Sequence, residues 1–100
     1  MLRLEYADEA SRDLVKIARY SRAEWGDAHA RTFFQALETS IQQLAVMPRV
    51  GQPADEIRQG VRRLVFKTLT IYYALEIDNV RILAIFHGRQ DAASILAARP

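Results

Sequence analysis

Apolar and polar positions alternate in distinct periods along the chain and divide it into a helical half and a strand half. Segment 2–6 alternates apolar and charged residues, as a half-buried strand does. Two segments follow with apolar residues every three or four positions, the spacing of amphipathic helices. Gly26 and Asp27 separate them as a helix-ending glycine and an N-cap residue, Asp8 can cap the first, and Pro48 ends the second. Two helices joined this closely form an antiparallel hairpin.

Three longer apolar segments fill the second half and predict strands at 61–66, 69–77 and 80–87. The tail AASILAAR at 92–99 predicts a short helix. The element order predicts an α+β fold, β-α-α-β-β-β(-α), with the helical hairpin packed on one face of a mostly antiparallel four-stranded sheet. A length of 100 residues is that of one such domain, which we expect to span residues 1–100.

The loop Asp78–Asn79 predicts a two-residue hairpin that pairs Ile77 with Val80 and Glu76 with Arg81. This register sorts the strand residues into a helix-covered face with Leu64, Phe66, Ile71, Tyr73, Leu75, Ile77, Val80, Ile82, Ala84 and Phe86, and a second face with Arg63, Tyr72, Leu83, Ile85 and His87. An apolar face rimmed by cations is typical of a docking surface for another chain. Two alternatives stay open: the tail folds back over this face, or two copies pack face to face.

Composition narrows the function classes. Half of the residues are hydrophobic, about a quarter are charged and cysteine is absent, which excludes disulfide scaffolds and thiol chemistry. His29 and His87 lie far apart in the sequence, so we expect neither a metal site nor a cofactor. No segment resembles a secretion signal or a membrane span, and we expect a soluble, cytoplasmic protein without membrane contacts.

Charge is nearly balanced, with 14 cations against 12 anions. This small excess is unlike that of a non-specific nucleic-acid binder. The cations Arg58, Arg62, Arg63 and Lys67 lie in a stretch without acids, so the second half is where an anionic partner would dock.

A set of residues spread over nearly the whole chain resembles the RelE/ParE superfamily, the toxins of bacterial type II toxin-antitoxin modules, and within it the ParE branch. They are Asp13-Leu14, Ile17, Tyr20, Trp25-Gly26, Ala30, Leu37, Leu44, Met47-Pro48, Gly51, Gly60-Val61-Arg62-Arg63, Ile71-Tyr72-Tyr73, Ile85 and His87-Gly88-Arg89-Gln90-Asp91. The order of these residues, together with the closing HGRQD, carries the resemblance. It implies a β-α-α-β-β-β fold, an antitoxin encoded beside the toxin and a role in plasmid or gene maintenance.

The superfamily that the chain resembles holds two activities. RelE-like members cut messenger RNA at the ribosome, whereas ParE-like members are described as poisons of DNA gyrase. The tail AASILAARP lacks the Tyr or His that the ribonuclease branch usually carries, and Arg81 faces Glu76 in the predicted register. We therefore expect a ParE-like gyrase poison, with no catalytic residue, neutralised by a ParD-like antitoxin that carries the complex to operator DNA. A ribosome-dependent messenger endoribonuclease and a non-toxic binding module of the same fold remain alternatives.

The site residues follow from the second face and from the resemblance. Expected target contacts are Arg63, Tyr72, His87 and Arg89, and expected antitoxin contacts are Trp25, Leu83 and Ile85. Gly88 can turn the chain so that Arg89 points outward. His87 is also interpreted as a hydrogen-bonding structural residue or a catalytic acid, and Trp25 as a packing anchor of the helical hairpin.

Overall fold

Two helices pack on one face of a five-stranded mixed sheet in the computed structural model, which describes residues 1–88 and 91–100. The elements are β1 (Arg3–Tyr6), α1 (Asp8–Trp25), α2 (Asp27–Val46), β2 (Gln52–Pro53), β3 (Val61–Phe66), β4 (Leu69–Leu75), β5 (Asn79–His87) and α3 (Ala92–Ala97). The strand order is β1-β5-β4-β3-β2, with β1 parallel to β5 and the other neighbours antiparallel. The predicted α+β fold is confirmed, and the two-residue β2 is added to it.

The helical hairpin turns at a single glycine. Gly26 has a φ of 83° and is both the C-cap of α1 and the N-cap of α2. A left-handed backbone is open to glycine at little cost, which explains the tight reversal. Asp8 and Asp27, expected as N-caps, instead lie in the first turns of α1 and α2. Their negative charges there interact favourably with the positive end of the helix dipole.

The main core lies between the hairpin and the sheet. Leu37, Ile41 and Leu44 of α2 are completely buried against Tyr73 and Ile82 of the sheet. Each such aliphatic side chain contributes roughly 1.5–3 kcal/mol through removal from water. The apolar stripe that the sequence predicts for α2 is therefore the stripe that holds the layers together.

The β4–β5 hairpin closes earlier than the sequence predicts. Leu75 pairs with Val80, and the Glu76 N–H donates to the Asn79 carbonyl at 2.9 Å, so Ile77 and Asp78 form the turn. Ile77, expected in the covered face, lies in this turn and is 95% exposed. The predicted pairs Ile77–Val80 and Glu76–Arg81 are wrong. The Arg81 guanidinium lies 3.8 Å from the Glu5 carboxylate instead.

A β-bulge in β5 exchanges the faces of its second half. Tyr73 pairs with Ile82 but Tyr72 pairs with Ala84, so Leu83 is an extra residue in the strand. After it, Ile85 joins the core under the helices, while Ala84 and Phe86 lie on the other face. The predicted positions of these three residues are wrong because one extra residue reverses strict two-residue alternation.

The second face of the sheet is covered by this chain's own tail. Leu96 is completely buried and Ala92 is almost so, and both pack with Tyr72, Leu83 and Phe86. Ala54 and Val61 complete this cluster. The expectation of an open docking face is therefore wrong, and the alternative that the tail folds back over it is confirmed.

Tyr73 fixes the segment that joins α2 to the sheet. Its hydroxyl donates to the Pro48 carbonyl at 2.7 Å and accepts the Gly51 N–H at 3.0 Å. A Cβ on Gly51 would lie 2.6 Å from both the Arg63 carbonyl oxygen and the Tyr73 hydroxyl. Only glycine allows this close approach, which explains its place between Pro48 and β2.

We expect Tyr73→Phe to lower the free energy of unfolding by about 1–3 kcal/mol, because the buried Gly51 N–H loses its acceptor. Thermal and urea unfolding followed by circular dichroism measure the change. Tyr20→Phe removes a hydroxyl from a tyrosine that is 58% exposed and serves as the matched control. Equal stability of the two variants would contradict the structural role of this hydroxyl.

Candidate functional site

An apolar groove runs between α1, the first half of α2, the start of β4 and the end of β5. Its volume is about 630 Å3. Its main apolar lining is Ile17, Tyr20, Trp25, Phe33, Leu69 and Phe86. A groove of this size fits side chains of a partner peptide or a small ligand.

Aromatic rings form a continuous series along the groove and its outer rim. The Trp25 ring centroid lies 6.3 Å from that of Tyr20 and 5.6 Å from those of His29 and Phe33. Phe33 in turn lies 5.5 Å from Phe66. Trp25 is 46% exposed and Tyr20 more so. Exposed Trp and Tyr beside a groove are the residue types that dominate binding energy at protein interfaces.

The charge of the groove is positive. Lys16 lies on its α1 side, and the Lys67 ammonium lies 5.7 Å from the ring centroids of both Phe33 and Phe66. Asp13 is the one carboxylate among the described lining residues, and it is paired with Arg99. The groove thus combines aromatic surface with uncompensated cations.

Asp13 and Arg99 form an ion pair within the lining of the groove. Arg99 donates from Nη1 to Oδ2 at 2.8 Å and from Nη2 to Oδ1 at 3.0 Å. The hydrogen bond from Arg99 to Asp13 raises the pKa of the guanidinium. The Arg99 side chain also lies over the Phe86 ring. This buried pair attaches the tail to α1, although its two residues are 86 positions apart in the sequence.

The same pair satisfies the backbone at the β5 bulge. β1 ends at Tyr6, and the Ala7 N–H makes the next hydrogen bond, to the Ile82 carbonyl. Farther along, Asp13 Oδ2 accepts the Ile85 N–H at 3.0 Å, and Arg99 donates to the Leu83 carbonyl at 3.1 Å. Buried backbone groups left without a strand partner are costly, and these two side chains supply the missing partners.

The structure separates the residues that the sequence groups as target contacts. Arg63 forms an ion pair with Glu56 near β2, whereas His87 lies at the exposed end of β5 and lines the groove. Tyr72 is buried, with its ring 5.6 Å from Phe86. Arg89 lies outside the described residues. The three described residues therefore do not form one exposed patch.

Of the expected antitoxin contacts, only Trp25 lies at the surface. Leu83 is buried under α3, and Ile85 is buried on the helix side of the sheet with one edge on the groove. Trp25 both packs and remains accessible, so its two interpretations are compatible. The sequence reasoning missed the groove, because lining residues such as Ile17, Phe33 and Leu69 belong to different elements that only the fold brings together.

The basic stretch of the second half is largely occupied within the chain. Arg62 donates to the carbonyls of Gly51 and Arg49, and Arg58 points to the carbonyls of Arg99 and Pro100. Among the described residues no cluster of His, Asp or Glu could hold a metal ion. No helix in the described part of the chain is both long and apolar enough to span a membrane.

Known proteins of one kind match this chain in sequence. A family model described as the ParE toxin of the type II toxin-antitoxin system parDE matches residues 4–92. Toxin ParE1 of Caulobacter vibrioides is 30% identical over 87 residues, covering 87% of this chain and 90% of the relative. Toxin ParE1 of Mycobacterium tuberculosis is 37% identical over 71 residues, covering 67% and 69%. Toxin ParE of Escherichia coli is 30% identical over 92 residues, covering 91% and 89%.

A solved structure shares the fold. A chain from the chromosomal ParDE toxin-antitoxin system of P. aeruginosa superimposes with a TM-score of 0.66 and 21% sequence identity. The match covers 87% of this chain and 96% of that one. The helical hairpin on a sheet is thus an arrangement already seen in a solved protein.

Proposed function

Because this chain belongs to the ParE toxin family of type II toxin-antitoxin systems, we propose that it poisons DNA gyrase and that a ParD-like antitoxin neutralises it. The observation that carries the proposal is the family match over residues 4–92, which runs from the second residue of β1 through β5 and stops at the first residue of α3. The toxin-antitoxin complex would reach operator DNA through the antitoxin.

The aromatic groove supports the antitoxin part of the proposal. Its exposed Trp25 and Tyr20 offer anchor sites, and its apolar lining matches one face of an amphipathic segment. Such a segment is disordered alone and gains its affinity by burying apolar side chains on binding. The groove replaces the second sheet face as the proposed antitoxin site, with Trp25 among its exposed lining residues.

The gyrase part of the proposal rests on sequence chemistry. Cleavage of RNA through its 2′-hydroxyl needs a general base and a general acid close to the scissile phosphate. The tail AASILAARP offers neither Tyr nor His, and Arg81 faces Glu5 within the sheet. His87 and Arg89 are the proposed target contacts, at the end of β5 and just after it.

Two measurements test the target. Purified chain incubated with DNA gyrase and relaxed plasmid should prevent supercoiling and accumulate cleaved DNA, while a topoisomerase of another class is unaffected. Induction in bacteria should arrest growth with filamentation and DNA damage, and co-expression of the product of the neighbouring gene should restore growth.

Primer extension on cellular messages during induction separates the alternatives. New ribosome-dependent cuts without gyrase inhibition would replace the gyrase proposal by messenger cleavage. Normal growth on induction, unchanged by the neighbouring gene, would instead identify a non-toxic binding module of this fold.

A further inference from the structure

Lys67 has an unusual backbone for its residue type. It lies in the two-residue turn between β3 and β4, where Phe66 pairs with Leu69, and its φ is 55°. Among the described residues it is the one non-glycine with a positive φ. Lysine has no side-chain feature that favours this conformation, whereas glycine and asparagine adopt it readily. The turn is therefore not optimised for stability at this position.

The Lys67 ammonium lies beside Phe33, one of the residues that line the groove. It lies 5.7 Å from the ring centroids of both Phe33 and Phe66, so the rings limit where the charge can move. The Gly88 N–H donates to the Thr68 carbonyl at 3.1 Å and fixes the turn to the end of β5. The turn and the two rings therefore hold the charge next to Phe33 and Thr68, which both line the groove.

The groove provides no carboxylate for this charge. Asp13 pairs with Arg99, and none of the ion pairs in the described part of the chain involves Lys67 or Lys16. An occupant of the groove would therefore meet aromatic surface flanked by two cations. A segment with apolar residues and a carboxylate is complementary to this arrangement.

We propose that Lys67 determines partner specificity by binding a carboxylate of an acidic, amphipathic antitoxin segment that lies in the groove. This inference rests on the proposed function. The turn places the ammonium beside Phe33, where an incoming acidic side chain loses part of its water and the ion pair gains strength. Lys16 supports the same contact from the α1 side.

Isothermal titration of the full chain with the product of the neighbouring gene tests the proposal. Lys67→Gly removes the charge but suits the φ, so we expect unchanged or higher thermal stability together with about tenfold weaker binding. Lys67→Arg keeps the charge and should bind within about threefold of the wild type, whereas Lys67→Glu should lose about a hundredfold. Added salt should reduce the difference between the wild type and Lys67→Gly.

Arg49→Glu makes the same charge change on an exposed residue in the segment after α2 that does not line the groove, and should alter binding by less than about threefold. Equal affinities of the wild type, Lys67→Gly and Lys67→Glu would overturn the role of Lys67 and leave the proposed function intact. Absence of any binding by the wild-type chain would instead contradict the proposed antitoxin partner, and with it this inference. Equal losses in Lys67→Glu and Arg49→Glu would reduce the effect to overall charge and also overturn the role of Lys67.

Discussion

Asp13→Ala should lower the free energy of unfolding by about 3–5 kcal/mol, the range for removing one partner of a buried ion pair. The substitution leaves the Arg99 guanidinium partly buried without its carboxylate and the Ile85 N–H without an acceptor. A domain of this size has a total stability of roughly 5–15 kcal/mol, so the loss is a large share of it. The bulge in β5 and the attachment of the tail would fail together.

Urea unfolding of four proteins measures this coupling: the wild type, Asp13→Ala, Arg99→Ala and the double variant. We expect the double variant to lose less free energy of unfolding than the sum of the two single losses. Each single variant also leaves the other charged side chain without its partner. Glu24→Ala, on the exposed surface of the same helix, should change the free energy of unfolding by less than about 0.5 kcal/mol. Additive losses within that margin would show that the pair is not a coupled unit.

Trp25→Ser should weaken binding of the proposed antitoxin by roughly 30-fold or more, the effect of truncating a central aromatic anchor. The exposed part of the indole supplies contact area beside the groove, and its buried part packs on Phe33 and Tyr20. Because nearly half of the side chain is already exposed, the free energy of unfolding should fall by no more than about 1 kcal/mol.

Titration calorimetry and thermal unfolding on the same samples separate the two effects of Trp25→Ser. Ile77→Ser removes an apolar side chain that is 95% exposed in the β4–β5 turn and should leave both quantities unchanged. A large loss of stability with unchanged affinity would show that Trp25 is a packing residue only. That was one of the two interpretations drawn from the sequence.

The helices were predictable because their apolar periodicity depends only on neighbouring residues. Leu37, Ile41 and Leu44 share one face at any register of the sheet, and Gly26 and Pro48 mark the ends by local backbone chemistry. The four longer strands and their order along the chain were predictable from their apolar patterns, whereas the two-residue β2 was not.

The sheet faces were not predictable from alternation alone. The extra residue Leu83 is held by Asp13 and Arg99, which lie 70 and 16 residues away from it in the sequence, and no local pattern indicates that they meet. The groove depends on the same register, since Phe66 and Phe33 meet only when β3 and α2 are in place. Asp13 was recognisable as part of the family resemblance, but its role needed the structure.

The parallel pairing of β1 with β5 sets the timing of folding during synthesis. Arg3 pairs with Asn79 and Tyr6 with Ile82, so the first strand made must wait for the last strand before it has a partner. At roughly 5–20 residues per second, translation from one strand to the other lasts about 4–16 seconds. During that interval the ribosome carries a helical hairpin without its sheet. The groove also needs β4 and β5, so the proposed antitoxin site is absent from the growing chain until both strands have been made.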